Sequence, residues 1–162
     1  MAKNSYFFQS EKELAKKVIS HLPKILKAFS DSPIEKILID KPLNPLAKMP
    51  APVEKVRKIG LLMRPDIIAY HLDGSISIFE LKVSAGLNDQ VSAIAQLLLY
   101  SHMVRLWHSP CHIRLIYIGN SVNRHLQVFV HEMNLQVTLL EANEFGLNEK
   151  WATKQKRVSN LE

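Results

Sequence analysis

Two strand-patterned runs, residues 59–71 and 75–83, are separated only by Leu72-Asp73-Gly74. That spacing constrains the chain more than any other feature, because a loop this short forces the two strands to lie antiparallel. Two registers then compete. A two-residue Asp73-Gly74 loop would pair Asp66 with Leu81 and turn Asp66 away from Glu80. A three-residue loop, with Gly74 supplying the left-handed residue, sets Asp66 opposite Glu80, Ile68 opposite Ile78 and Tyr70 opposite Ile76. The second register produces one consistent apolar face, so it is the expected one.

Other elements follow from local signals. Ser10 with Glu13 forms a capping box, and Leu14, Val18, Leu22, Ile25 and Phe29 make one apolar stripe at helical spacing. This predicts a helix over about 10–29, interrupted or kinked at Pro23. A short strand is expected over 34–40. Residues 41–58 hold Pro42, Pro45, Pro50 and Pro52 among five Lys/Arg and read as a basic surface loop. Asn88 is expected to cap a helix from Asp89 to about Leu106. Residues 113–119 read as a buried strand, 122–133 as a helix and 135–140 as an edge strand. The order αβββαβαβ describes an α/β fold, a mixed sheet flanked by helices on both sides.

The chain has 162 residues, so one domain over 1–162 is expected, with no run apolar enough to cross a membrane and no signal-peptide core. The single cysteine, Cys111, excludes an intrachain disulfide or a four-cysteine metal site, and the expected compartment is the cytoplasm. The net charge of +6 is concentrated: residues 1–60 carry 12 Lys/Arg against 6 acids, and the rest of the chain is balanced. A one-sided basic surface suits a polyanion such as nucleic acid, and equally a solvated lysine-rich helix.

The chemistry is concentrated in Asp66 and the Glu80-Leu81-Lys82 triplet. Residues two apart on a strand share a face, so Glu80 and Lys82 end the stripe that Ile76 and Ile78 begin. Charges at the end of an apolar stripe suggest a cleft. In the preferred register two carboxylates stand roughly 5 Å apart at Cβ, near enough to hold one hard cation. Mg²⁺, or Mn²⁺ in its place, suits two oxygen ligands and a neighbouring lysine, with the Leu81 or Val83 carbonyl as a further ligand. The same residues would also make an ordinary cross-strand salt bridge, and a (D/E)xK triplet alone is common.

Pro65-Asp66 followed by Glu80-Leu81-Lys82 resembles the PD-(D/E)xK nuclease superfamily, and Gln96 with Tyr100 is similar to the QxxxY motif of its RecB-type branch. Positions i and i+4 share a helix face, so both side chains can address one cleft. The resemblance spans about residues 10–120. It implies a restriction-endonuclease-like αβββαβ core with a C-terminal α-β extension over 121–162. It also implies a Mg²⁺-dependent nuclease in which Asp66 and Glu80 hold the metal, Lys82 positions water, and Gln96 and Tyr100 orient substrate or Lys82. The branch further places a glutamate from the first helix at the metal. Glu11 lies within about 20° of Val18 on the helical wheel and Glu13 about 140° away, so Glu11 is preferred as a catalytic and metal-site residue.

Arg64, Lys41, Lys48, Lys55, Arg57 and Lys58 are the candidate nucleic-acid contacts, each suited to the backbone rather than to base edges. The expected partner is DNA, with RNA left open, and a homodimer or larger complex is one way for a small domain to engage a duplex. Repair, recombination and mobile-element or defence processing are the expected settings by analogy. Two other functions remain open: a non-cleaving binding or assembly module that needs a partner, and an RNA-directed nuclease. His102, His108, Cys111 and His112 fit no closed zinc pattern.

Overall fold

The computed structural model describes residues 7–42, 63–107 and 112–147. The elements are α1 (Glu11–Lys27), β1 (Ile34–Ile39), β2 (Ile67–His71), β3 (Ile76–Lys82), α2 (Leu87–Trp107), β4 (Ile113–Gly119), α3 (Arg124–Glu132) and β5 (Val137–Glu141). The five strands form one mixed sheet in the order β1-β2-β3-β4-β5. β1, β2 and β3 pair antiparallel, while β3, β4 and β5 pair parallel. This is an α/β architecture, consistent with the restriction-endonuclease-like arrangement.

Alternation along the strands divides the core in two. On one face Ile67, Ala69, Phe79, Leu81, Ile116 and Ile118 pack against the α1 stripe of Leu14, Val18, Leu22 and Ile25. On the other, Ile68, Ile76, Ile78, Leu115 and Tyr117 meet α2 and α3. The central strands β3 and β4 are covered on both sides, so nearly every residue along them is buried. A charged residue within β3 is therefore buried by the fold itself.

Several local expectations need revision. Pro23 does not interrupt α1, which continues to Lys27. The proline sits on the exposed side, where water can take the carbonyl left without a donor. α2 begins at Leu87, so Asn88 lies inside its first turn rather than capping it. Gly86 contributes the first accepting carbonyl, to the Gln90 N–H at 3.2 Å, and Ser84 Oγ in turn accepts from the Gly86 N–H. β2 starts only at Ile67, because Pro65 has no N–H for a ladder. α3 is capped by Asn123, whose side chain accepts from the His125 N–H. Most of the 41–58 loop, the 59–62 part of the second run, His108, Cys111 and the last 15 residues lie outside the described residues.

Distant segments are tied together at the C-terminal ends of β3 and β4. Asn120 Oδ1 accepts from the Phe8 N–H at 2.9 Å. Its Nδ2 donates to the Phe8 carbonyl at 2.9 Å and to the Val83 carbonyl at 3.1 Å. This clasp sets where α1 begins relative to the end of β3. Asn120→Ala removes all three bonds and is expected to cost about 2 kcal/mol in urea unfolding. A loss below about 0.5 kcal/mol would show that the clasp is not what seats the N-terminal segment.

Candidate active site

The β2–β3 register is the three-residue one: Ile68 pairs with Ile78 and Tyr70 with Ile76. Gly74 takes φ +79°, and the His71 N–H bonds the Ser75 carbonyl at 3.0 Å to close the turn. Asp73 Oδ1 accepts from the Ser75 N–H at 2.9 Å and from its hydroxyl at 2.6 Å, which keeps the Asp73 carboxyl below its ordinary range. Continuing this register by two pairs sets Asp66 across from Glu80. Asp66 Oδ2 accepts from the Leu81 N–H at 2.7 Å, which fixes the carboxylate against β3.

Glu80 is 3% exposed, and its two oxygens have different surroundings. Oε1 lies 3.4 Å from the Lys82 ammonium, while Oε2 has no partner. Lys82 also reaches Glu11 Oε1 at 3.3 Å, so one ammonium bridges the start of α1 and the end of β3. Glu13 turns the other way, accepting from the Gln9 N–H at 3.2 Å. Burial pushes the Glu80 carboxyl up from 4.5 to about 8, with the facing Asp66 adding to the effect and Lys82 opposing it. Asp66 is also pushed up, chiefly by burial, against the Leu81 bond and Lys82. For Lys82, burial works to lower its pKa, but Glu80, Glu11 and Asp66 outweigh it and the net direction is up. The lysine stays charged.

The QxxxY pair lies over the same face. Tyr100 is buried and its hydroxyl is pushed above the ordinary tyrosine range, first by burial and then by Glu80 and Asp66, so it stands in the field of both carboxylates. Gln96 is one turn earlier on α2, and its Oε1 is buried without a partner. Among the described residues, three buried side-chain oxygens lack a hydrogen-bond partner: Glu80 Oε2, Gln96 Oε1 and the Tyr117 hydroxyl. Buried polar atoms are rarely left unpaired in native structures, and Glu80 and Tyr117 are neighbours across β3 and β4, so that pair marks a place prepared for something else.

A hydrated divalent cation fits the donor set. Two facing carboxylates, one with a free buried oxygen and both resisting ionisation, gain from a positive charge between them. Among the described residues no three His, Cys, Asp or Glu side chains close a cage for a metal. Glu11 is paired with Lys82 at 3.3 Å, and Asp66 with Glu80 is the facing pair that would hold an ion. Such an open pair suits Mg²⁺, which keeps several waters. The Val83 carbonyl is already engaged by Asn120.

The remaining candidates separate by position. Arg64 is exposed two residues before Asp66. Lys41 is exposed next to Asp40, whose N–H bonds the Asp66 carbonyl at 3.0 Å, so Lys41 lies at the same end of the sheet. Lys48, Lys55, Arg57 and Lys58 fall outside the described residues. His102 and His112 are exposed. Tyr117, Asp40 and Asn120 were not singled out by sequence reasoning. Tyr117 lies beside Glu80 only through the β3–β4 register, and a tyrosine within an Ile-rich strand is the sole sequence signal for it.

No protein-family model matches the chain, and no curated protein matches it. Among solved structures, that of a repair endonuclease from Pyrococcus abyssi matches with a TM-score of 0.50 and 18% identity. The match covers 86% of this chain and 48% of that one, so the chain spans about half the length of the structure it resembles. At this identity the likeness concerns the fold alone: a mixed sheet flanked by helices.

Proposed function

We propose that this chain is a metal-dependent nuclease that hydrolyses DNA phosphodiester bonds. The observation that carries this reading is Asp66 set across from a buried Glu80 whose Oε2 is unpaired, with Lys82 beside it. Asp66 and Glu80 would hold Mg²⁺ or Mn²⁺. When bound, such an ion supplies the charge that neutralises a phosphodiester and acidifies a water.

This chain's own residues would do the rest. Lys82, kept protonated by three carboxylates, donates towards the attacking water or the phosphoryl oxygens and so orients the attack. Glu11 restrains the free swing of Lys82. Tyr100, in the field of both carboxylates, and Gln96, one turn earlier on α2, would orient substrate or Lys82. Water adds to phosphorus as the opposite P–O bond breaks, leaving a phosphomonoester and an alcohol. Exposed Lys41 and Arg64 lie at the same end of the sheet and are suited to backbone phosphates. The repair endonuclease likeness favours DNA as the substrate and repair or a related process as the setting.

The test is a gel assay on matched linear single-stranded, linear duplex and closed-circular DNA, with Mg²⁺, Mn²⁺ or EDTA. Metal-dependent loss of substrate is expected, absent in EDTA, and the circular lane distinguishes internal cutting from cutting at ends. DNA retarded on the gel but intact under every metal would replace this reading with a binding module. Cleavage of RNA alone under the same conditions would reassign the substrate.

A further inference from the structure

The nuclease motifs account for two of the three unpaired buried oxygens, Glu80 Oε2 and Gln96 Oε1. The third, the Tyr117 hydroxyl, belongs to no motif. Tyr117 is completely buried on β4, directly beside Glu80 in the parallel register, while Gly119 stands beside Lys82. Its ring extends along β4 over Gly119. A Cβ at position 119 would lie 2.7 Å from the Tyr117 hydroxyl and 3.0 Å from the Ser121 carbonyl. Glycine is therefore required here for space, and the space it leaves is occupied by the phenol. The hydroxyl points to the C-terminal ends of β3 and β4, where Lys82 and Glu11 meet.

Packing does not explain the oxygen. A phenylalanine would fill the same volume without burying an unpaired polar atom, which is unfavourable. Burial, with Glu11 and Asp89 adding to it, holds the hydroxyl above its ordinary range. A phenol hydroxyl is an uncharged hydrogen-bond donor. A neutral donor beside a carboxylate–lysine cluster suits an oxygen that carries negative charge.

We infer that the Tyr117 hydroxyl is a hydrogen-bond donor to an oxygen of the bound phosphodiester, a catalytic residue supplied by β4 outside the recognised motifs. This rests on the nuclease reading above. Gly119 is then a positioning residue, since it acts only by admitting the phenol.

The experiment compares wild type, Tyr117→Phe, Gly119→Ala and Glu80→Ala in three measurements: thermal unfolding, single-turnover cleavage with Mg²⁺, and binding of a short oligonucleotide with Ca²⁺ in place of Mg²⁺. Tyr117→Phe is expected to unfold at the wild-type temperature or higher, because it removes an unpaired polar atom. Its cleavage should fall about ten- to a hundredfold, and its oligonucleotide affinity by about threefold or more. Gly119→Ala should lose cleavage similarly while also losing stability. Cleavage by Tyr117→Phe within about twofold of wild type, with Glu80→Ala inactive, overturns this inference and leaves the nuclease reading standing. A fall in its unfolding temperature beyond about 4 °C also overturns it, because the hydroxyl would then have a partner within the protein. If wild type binds the oligonucleotide but cleaves nothing, the nuclease reading fails and the binding measurement decides. Unchanged affinity in Tyr117→Phe then overturns the donor role, and weakened affinity supports it as a phosphate contact. Absence of both binding and cleavage overturns both.

Discussion

Glu80→Gln is expected to lose at least about a thousandfold in cleavage while making the metal-free protein more stable at alkaline pH. The two effects have one origin. Glu80 is buried facing Asp66, and its carboxyl is pushed from 4.5 to about 8. A folded-state value above the unfolded one means that the native protein binds the extra proton between those limits. Stability of the metal-free protein therefore falls as pH rises from about 4.5 through about 8. A rise of this size corresponds to a ceiling of roughly 5 kcal/mol. That ceiling already includes the opposing pull of Lys82, and relaxation around the buried charge reduces it, so a net gain of about 2 kcal/mol is expected above pH 8. Near pH 5 Glu80 is already protonated, and the variant should match wild type. Urea unfolding in EDTA at the two pH values measures this, and a variant less stable than wild type at both would mean that burial of the Glu80 charge carries no penalty.

Lys82→Ala should abolish cleavage too, but with the opposite effect on stability. Lys82 is the cation that meets both Glu80 and Glu11, with side-chain exposures of 20% for the lysine, 5% for Glu80 and 47% for Glu11. The Glu11 half is largely exposed and contributes little. The Glu80 half is buried, and removing one partner of a buried pair leaves an uncompensated charge, with a loss of about 3 kcal/mol expected near pH 8 and above. The loss should shrink towards pH 5, where Glu80 no longer carries charge. An equal loss at both pH values would show that Lys82 acts through its aliphatic stem alone. Because the two variants move stability in opposite directions, their shared loss of cleavage could not be attributed to unfolding.

The parts of this fold that were legible in sequence are those set by local chemistry. Gly74 can adopt φ +79° and Ile68, Tyr70, Ile76 and Ile78 alternate cleanly, so the β2–β3 register followed from turn geometry. The α1 stripe faces the sheet, which distinguished the placement of Glu11 from that of Glu13. Contacts between distant segments were not legible. The parallel β3–β4 register, which brings Tyr117 beside Glu80, depends on the packing of α2 and has no turn to encode it. The Asn120 clasp joins residues 112 apart, and nothing near Asn120 signals Phe8 as its partner. Nor is it legible that α1 runs on through Pro23, because that depends on the proline lying on the side that faces water.

The Asn120 clasp has a consequence for when the site can exist at all. Asp66, Glu80, Lys82, Gln96 and Tyr100 all leave the ribosome before Asn120 does. β2 and β3 can pair through a three-residue turn, an event of low contact order that needs nothing further along the chain. The seating of Phe8, and with it the placement of Glu11 against Lys82, must wait until β4 has emerged and closed a loop of 112 residues. A nascent chain that stops short of β4 carries every residue of the recognised motifs but lacks the tether that holds its first helix in place.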